Sequence, residues 1–541
     1  MIKYKINISD ISITGCLALL TTALLLVKIV FDMFYMGYPS DELEHLHVSW
    51  LVWSGKTPYI DFFEHHNPLL WYLFAPVAGL MYDNLNIVYV SRIVAVAASF
   101  TCWFYIYKII TKWLGGRQVW LAAFLLFCGG YDDSRYITEF RPDTFMNLCF
   151  WSGLYYYLTY LEDKHGKNLV ISFALFTFSF FFLQKIILLL AVLAVYTFVL
   201  LAQKQIKPAD FGKALILPAL ITLGFIFWLC WHGMFLKYIE LNYTLNSVLV
   251  QYYGLHRVQF NLGDFQLYLP FVNGWGAVRF TPITTVLCAA AVLLYAKFLQ
   301  IKKPASLCLV VLFFGELCAR LLTFSPYPHY FSLLLAFASI IIATVVFGNM
   351  SKFKQKLFNL FLFCSICILG SANYNDFSNE IYRDEIKNAM LNTKFIIENT
   401  SADETVMNAH NYSPNLFRPD SEYIWFLLND TGYVYETNFT DKKTDLDEVI
   451  IKKRPTIIFT ADYMNTPFSE RREKKLFEYN ADMTYLYQKM NIKDYPLTEL
   501  LINIPQPKAY IWNMELVKKY YKQTELPHLW ILKDEYRHKE N

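Results

Sequence analysis

Residues 38–72 read YPSDELEHLHVSWLVWSGKTPYIDFFEHHNPLLWY. They follow the apolar run 15–37 directly and hold Asp41, Glu42, Glu44, Asp61 and Glu64 with His45, His47, His65 and His66. The whole 541-residue chain is only 17% charged and is 55% apolar. About 20 apolar residues cross a bilayer as a helix, and many runs here approach or exceed that length. The chain therefore reads as a polytopic membrane protein, with this polar segment as its first large loop. A net charge of +3 argues for no nucleic-acid partner. All ten cysteines lie in apolar runs, which excludes a disulfide framework.

The basic start MIKYK and the run after it resemble a signal peptide only superficially, because the run is long and no small-residue cleavage site follows. It is expected to be an uncleaved first span. Further apolar runs cover 87–107, 118–131, 143–161, 169–183, 186–202, 214–235, 281–299, 306–324, 331–347 and 357–373. The run 69–82 is short and suits a re-entrant or interfacial segment. If it does not cross and the N-terminus is cytoplasmic, the basic loops at Lys108–Arg117, Lys164–Lys167, Lys204–Lys213, Lys302–Lys303 and Lys352–Lys356 all fall inside. The expected architecture is an all-α membrane domain over 1–374, with about 11–13 transmembrane helices and surface helices in the first outer loop. A small α/β domain over 375–541 then follows outside. In it EIKNAMLNTKFIIENT has helical periodicity, LDEVIIKKRP reads as a helix stopped by Pro455, and ETVMNAH, YVYETN and PTIIFTAD read as strands.

This topology gathers ionisable groups on the outer face. The first loop supplies its carboxylates and histidines. Later loops supply Asp132, Asp133, Glu139, Arg141 and Asp143, then Gln184 and Lys185, then Glu240, His256, Arg257 and Asp264, and finally Tyr327, His329 and Tyr330. Charge at membrane depth is costly and is usually paired or functional. Lys185, inside FFFLQKIILLL, is either a snorkelling lysine at a tight turn or a phosphate contact. On a helix from Asp41 to Trp53, Leu43, Leu46, Trp50 and Trp53 share a stripe opposite Asp41, Glu44 and His45. That pattern suits a helix resting on the membrane surface and ended by Gly55. Asp41 then serves either as its N-cap, with Glu44 completing a capping arrangement, or as a site residue. Glu64, His65 and His66 in EHHNP are reasonable ligands for zinc or manganese, with carboxylate–histidine hydrogen bonding as the plainer alternative.

These motifs, in this order, resemble the GT-C glycosyltransferases, in particular the aminoarabinose transferase and protein O-mannosyltransferase branch. The matching elements are the acidic pair Asp41-Glu42 after the first span, SGKTPYIDFFEHHNPLLWY, the RxD motif Arg141-Pro142-Asp143, Lys185 between two spans, and SPYPHYFSLLL before a late span. The likeness covers roughly residues 1–350. The lysine that the family places before proline is replaced here by histidines.

The resemblance implies a multi-pass protein of the bacterial inner membrane, with a cytoplasmic N-terminus and a periplasmic C-terminal domain. Its activity would be transfer of a sugar from a polyprenyl-phosphate donor to a glycolipid, polysaccharide or protein acceptor, with inversion. Asp41 would be the general base, Glu42 a second candidate or orienting partner, and Asp143 an orienting carboxylate. Arg141, Lys185, His66, Tyr327 and His329 would contact substrate. Glu64 with His65 or His256 would hold a divalent metal (Zn, Mn or Mg), with no organic cofactor. A transporter or flippase for lipid-linked glycans, a glycan ligase or polymerase, and a scaffold are the rival classes. Against the transporter, the charges cluster at one surface and no repeat is visible.

Overall fold

A computed structural model describes residues 12–35, 40–130, 135–249, 292, 294, 304–323, 332–378, 380–408, 415–425, 430–441, 444–460, 512–526 and 529–537. The first half is a succession of helices: α1 (Ile13–Tyr35), α2 (Ser40–Trp53), α3 (Leu69–Leu80), α4 (Ile87–Ile109), α5 (Arg117–Gly130), α6 (Arg135–Thr138), α7 (Pro142–Asp163), α8 (Gly166–Phe182), α9 (Ile187–Ala202), α10 (Pro208–Trp231) and α11 (Phe235–Ile239). Helices Pro304–Thr323, Ser332–Phe347, Lys352–Ser378 and Glu380–Asn399 follow. Each expected span has its helix except 281–299, which lies almost entirely outside the described residues. Five of the described helical segments are long and apolar enough to cross a membrane: Ile13–Tyr35, Ile87–Leu114, Gln184–Ala202, Pro208–Trp231 and Lys352–Ser378.

Helix α7 lies at the centre, packed on α4 and α8. Proline at its first position costs no hydrogen bond there, and its preceding residue Arg141 is extended. Gly153 admits close contact with α8, since a Cβ there would meet the Phe176 ring at 2.9 Å. Helix α1 pairs with Lys352–Ser378. Between them Lys28 Nζ is 2.5 Å from Asp32 and 3.0 Å from Asp376, so a lysine deep in an apolar helix has its carboxylates. The outer face of α10 keeps Leu220, Leu223 and Phe227 exposed, as a lipid-facing helix does.

Residues flanking both ends of helix α3 meet one segment of the C-terminal region. Phe63, before it, and Asp83, after it, both bond the C-terminal segment 415–425. Its 12 residues span about 18 Å, well short of a bilayer core of about 30 Å.

Helix α2 corrects the expectation of a surface-lying amphipathic helix. Every residue from Glu42 to Leu51 is buried, so its polar face turns into the protein rather than to water. Asp41 sits inside the first turn, because the helix begins at Ser40, and is therefore not the N-cap. Gly55 does end the helix. Its φ of +87° is the left-handed conformation glycine adopts without strain, and bonds from Gly55 N to Val52 O and Lys56 N to Leu51 O form a Schellman motif.

In the C-terminal region β1 (Val406–Asn408), β2 (Ile457–Phe459), β3 (Tyr521–Gln523) and β4 (Leu529–Leu532) form a sheet of order β1-β2-β4-β3. The pair β1–β2 is parallel and the other pairs are antiparallel. YVYETN is not a strand. It lies in the helix Asp430–Phe439, where Tyr435 and Phe439 stack one turn apart at 5.5 Å and Asn438 bonds Val434 O. Burial of Val434 and Tyr435 on one helical face outweighs their strand propensity.

Candidate functional site

Four separated stretches meet at one end of the helices: the start of α2, the loop 56–68, the 139–143 stretch entering α7, and the turn at Gln184–Ile186 between α8 and α9. Arg141 Nη1 lies 2.5 Å from Asp41 Oδ2, and Arg141 Nε lies 3.5 Å from Asp143 Oδ2. Lys185 Nζ donates to Asp143 Oδ1. Glu139 stands 3.9 Å from Arg141. Asp41, Arg141, Asp143 and Lys185, expected to share a site, thus form one chain of alternating charge. Their exposure differs in a useful way. Asp41 keeps 32% of its side chain open, against 9% for Arg141, 11% for Asp143 and 15% for Lys185. A cleft between α4, α5, α7 and Ser332–Phe347 runs from Arg141 and Asp143 to the apolar side chains Ile106 and Trp151.

Glu42 stands apart from this chain. It is fully buried, and Arg92 Nε and Nη2 hold both its oxygens at 2.6–3.0 Å. Its Oε1 also accepts from Phe140 N at 3.4 Å. Glu42 ties α2, α4 and the segment before Arg141 together. Arg92 was missed by sequence reasoning. Its signal was available, since an arginine inside YVSRIVAV breaks an apolar run as Lys185 does.

The second cluster is Glu44, Glu64, His65 and His66, whose potential ligand atoms lie within 4.8 Å of one another. His66 Nδ1 is 2.8 Å from Glu64 Oε1 and 3.6 Å from Glu44 Oε1. Glu64 Oε1 also accepts from His65 N at 2.8 Å. Glu44 Oε1, Glu64 Oε2 and His65 Nδ1 are buried and lack a hydrogen-bond partner among the described residues. Burial, then the carboxylates of Glu64 and Asp41, hold the Glu44 carboxyl well above the usual range. Burial and the neighbouring His66 keep His65 and His45 well below the usual imidazole range. His45 Nδ1 accepts from Trp71 Nε1 at 3.1 Å, which assigns the neutral ring its proton at Nε2. Glu44, expected only to complete a capping arrangement with Asp41, lies instead with Glu64, His65 and His66. His256, Tyr327 and His329, expected in the site, lie outside the described residues, as do Asp132, Asp133, Arg257, Asp264 and Tyr330.

The loop carrying Glu64 is pinned from behind. Asn67 donates to Phe180 O at 2.6 Å and accepts from Tyr238 at 2.7 Å; Gln184 donates to His65 O at 2.9 Å; Tyr59 donates to His66 O at 2.7 Å. Tyr59 itself has φ +68°, a backbone state that costs about 1–3 kcal/mol for a bulky residue and persists only where contacts enforce it. Asp61 closes the turn ahead of it by accepting from Thr57 N.

No family model matches the chain, and no curated protein matches it. Solved structures do. The crystal structure of ArnT from Cupriavidus metallidurans bound to undecaprenyl phosphate superposes with a TM-score of 0.50 at 11% identity, covering 83% of this chain and 94% of that one. The apo structure of the same ArnT gives 0.50 and 11%, covering 83% and 93%. The chain therefore has the membrane fold of these ArnT structures.

Proposed function

We propose that this protein is an integral-membrane glycosyltransferase that moves a sugar from a polyprenyl-phosphate donor to an acceptor hydroxyl or amine, with inversion. The supporting observation is the convergence of Asp41, Arg141, Asp143 and Lys185, from three separate stretches, on a fold shared with a protein crystallised with undecaprenyl phosphate. Asp41 is the general base, being more open to an entering acceptor than Glu139 or Asp143 beside the same arginine. Arg141 and Lys185 bind the donor phosphate and stabilise its charge as it leaves. Asp143 orients both cations. The cleft beside Arg141 and Asp143, lined in part by Trp103, Ile106, Phe127 and Trp151, supports a donor whose phosphate meets the cations next to apolar side chains.

Glu44, Glu64, His65 and His66 fit a divalent cation. Their buried orphan oxygens and ring nitrogen are a donor set suited to zinc or manganese, and its charge would help neutralise the donor phosphate. The acceptor is a glycolipid, polysaccharide or protein presented at the outer face of a bacterial inner membrane, where the C-terminal domain also resides.

Purified protein with radiolabelled polyprenyl-phosphate sugar is expected to move label to extracted envelope acceptors. Asp41→Asn is expected to lower the rate at least about 100-fold. Full activity in that variant would remove Asp41 as the base.

A further inference from the structure

Segment 415–425 runs between the C-terminal sheet and the first loop and is bonded to both. On the sheet side, Val406 N donates to Pro419 O at 2.9 Å and Ser421 N donates to Val406 O at 3.1 Å, so Asp420 is bracketed by β1. Arg418, fully buried, donates to Thr400 Oγ1, Thr400 O, Ile397 O and Asp83. On the loop side, Phe63 N donates to Tyr423 O at 2.9 Å and Trp425 Nε1 donates to Phe63 O at 3.2 Å. The residue before Glu64 thus has both its backbone groups held by this segment. Tyr423 also donates to the carbonyl of Tyr59, the residue with positive φ, at 2.7 Å. A third contact reaches α2: His47 Nε2 is 2.7 Å from Asp420 Oδ2 and His47 Nδ1 is 3.3 Å from Leu416 O. His47 is one helical turn beyond Glu44, on the same side of α2.

We propose that segment 415–425 is a positioning strap for the catalytic loop. It grips the backbone beside Glu64 and, through His47, the helix that carries Glu44, and so sets the spacing of the two buried carboxylates. The helix bundle holds the far end of the loop at His65 and Asn67, through Gln184, Phe180 and Tyr238. The strap holds the near end. The C-terminal domain is then part of the active site, without contributing a group that touches substrate. The effect on turnover rests on the glycosyltransferase proposal; the effect on loop order does not.

Two variants test the strap from opposite ends: Trp425→Phe, which removes the indole donor and keeps the ring beside His47, and Asp420→Ala, which removes the partner of His47. In the full-length protein in lipid nanodiscs, amide exchange over residues 59–66 is expected to speed up about tenfold in both, with α7 and α8 unchanged. Transfer from the polyprenyl-phosphate donor is expected to lose about tenfold in kcat with the donor KM unchanged. Unchanged exchange over 59–66 in both variants overturns the strap, as does faster exchange with wild-type kcat. If wild-type protein transfers no sugar, the glycosyltransferase proposal fails while the exchange result still decides the strap. Should either variant disturb exchange in α7 or α8, Tyr423→Phe, which removes only the bond to Tyr59 O, replaces it with the same expectations.

Discussion

Arg92 binds both oxygens of Glu42 with neither side chain more than 1% exposed. Breaking a buried pair leaves an uncompensated charge and typically costs about 3–5 kcal/mol. Arg92→Met is therefore expected to lower stability by about that amount, read from thermal unfolding in detergent. A loss below about 1 kcal/mol would show that Glu42 is held by something else. Lys28 follows the same logic between α1 and Lys352–Ser378, where Lys28→Met would leave Asp32 and Asp376 facing each other. Both basic residues interrupt apolar runs, so their presence was visible in the sequence. Their partners were not, because Glu42 lies 50 positions from Arg92 and Asp376 lies far from Lys28 along the chain. Spacing along a chain carries no information about contacts at such separations.

Among the elements, α2 and the helix Asp430–Phe439 show where local pattern and tertiary packing part. The α2 pattern of apolar and polar faces is real, but both faces are covered, because Arg92, Arg141, His66 and Asp420 come from other elements to meet its charges. In YVYETN the alternation was read at period two, and packing chose the helix. At the edge of the sheet, Glu404 joins β1 to the chain's last helix: Arg537 donates to both its oxygens at 2.9 Å, and Thr456 donates at 3.0 Å. Burial pushes its carboxyl up, but Arg537, Ser401 N–H and Thr456 outweigh that and hold it down at about 2, against an ordinary 4.5. A carboxylate depressed in the folded state adds stability above its unfolded value and loses that contribution as pH falls through the folded one. The C-terminal region is therefore expected to loosen as pH falls from about 4.5 toward about 2. Glu404→Gln should flatten that part of the profile, followed by amide exchange of β1 and β2. An unchanged profile would place the acid sensitivity elsewhere.

For the whole molecule, residues on both flanks of α3 bond the C-terminal segment 415–425, which lies against the first loop. Cysteines introduced as Lys56→Cys and Ser401→Cys, both exposed positions, should therefore react with a membrane-impermeant thiol reagent from the same side of sealed vesicles, in a background lacking the native cysteines. Labelling from opposite sides would undo the span order and the grouping of the loops. Composition and run length alone determined that this is a polytopic membrane chain, because burying so much apolar surface leaves few other solutions. Motif order along the chain pointed to the GT-C fold, and the oddly polar stretch 38–72 to the site. Only the tertiary structure decided which carboxylate stays open and which is locked by arginine, and that Glu44 joins Glu64. It alone showed that a segment over 350 residues downstream from Phe63 grips the loop. The physical reason is that hydrophobic run length acts locally, whereas charge pairing and loop anchoring are set by residues that meet only after the helices pack.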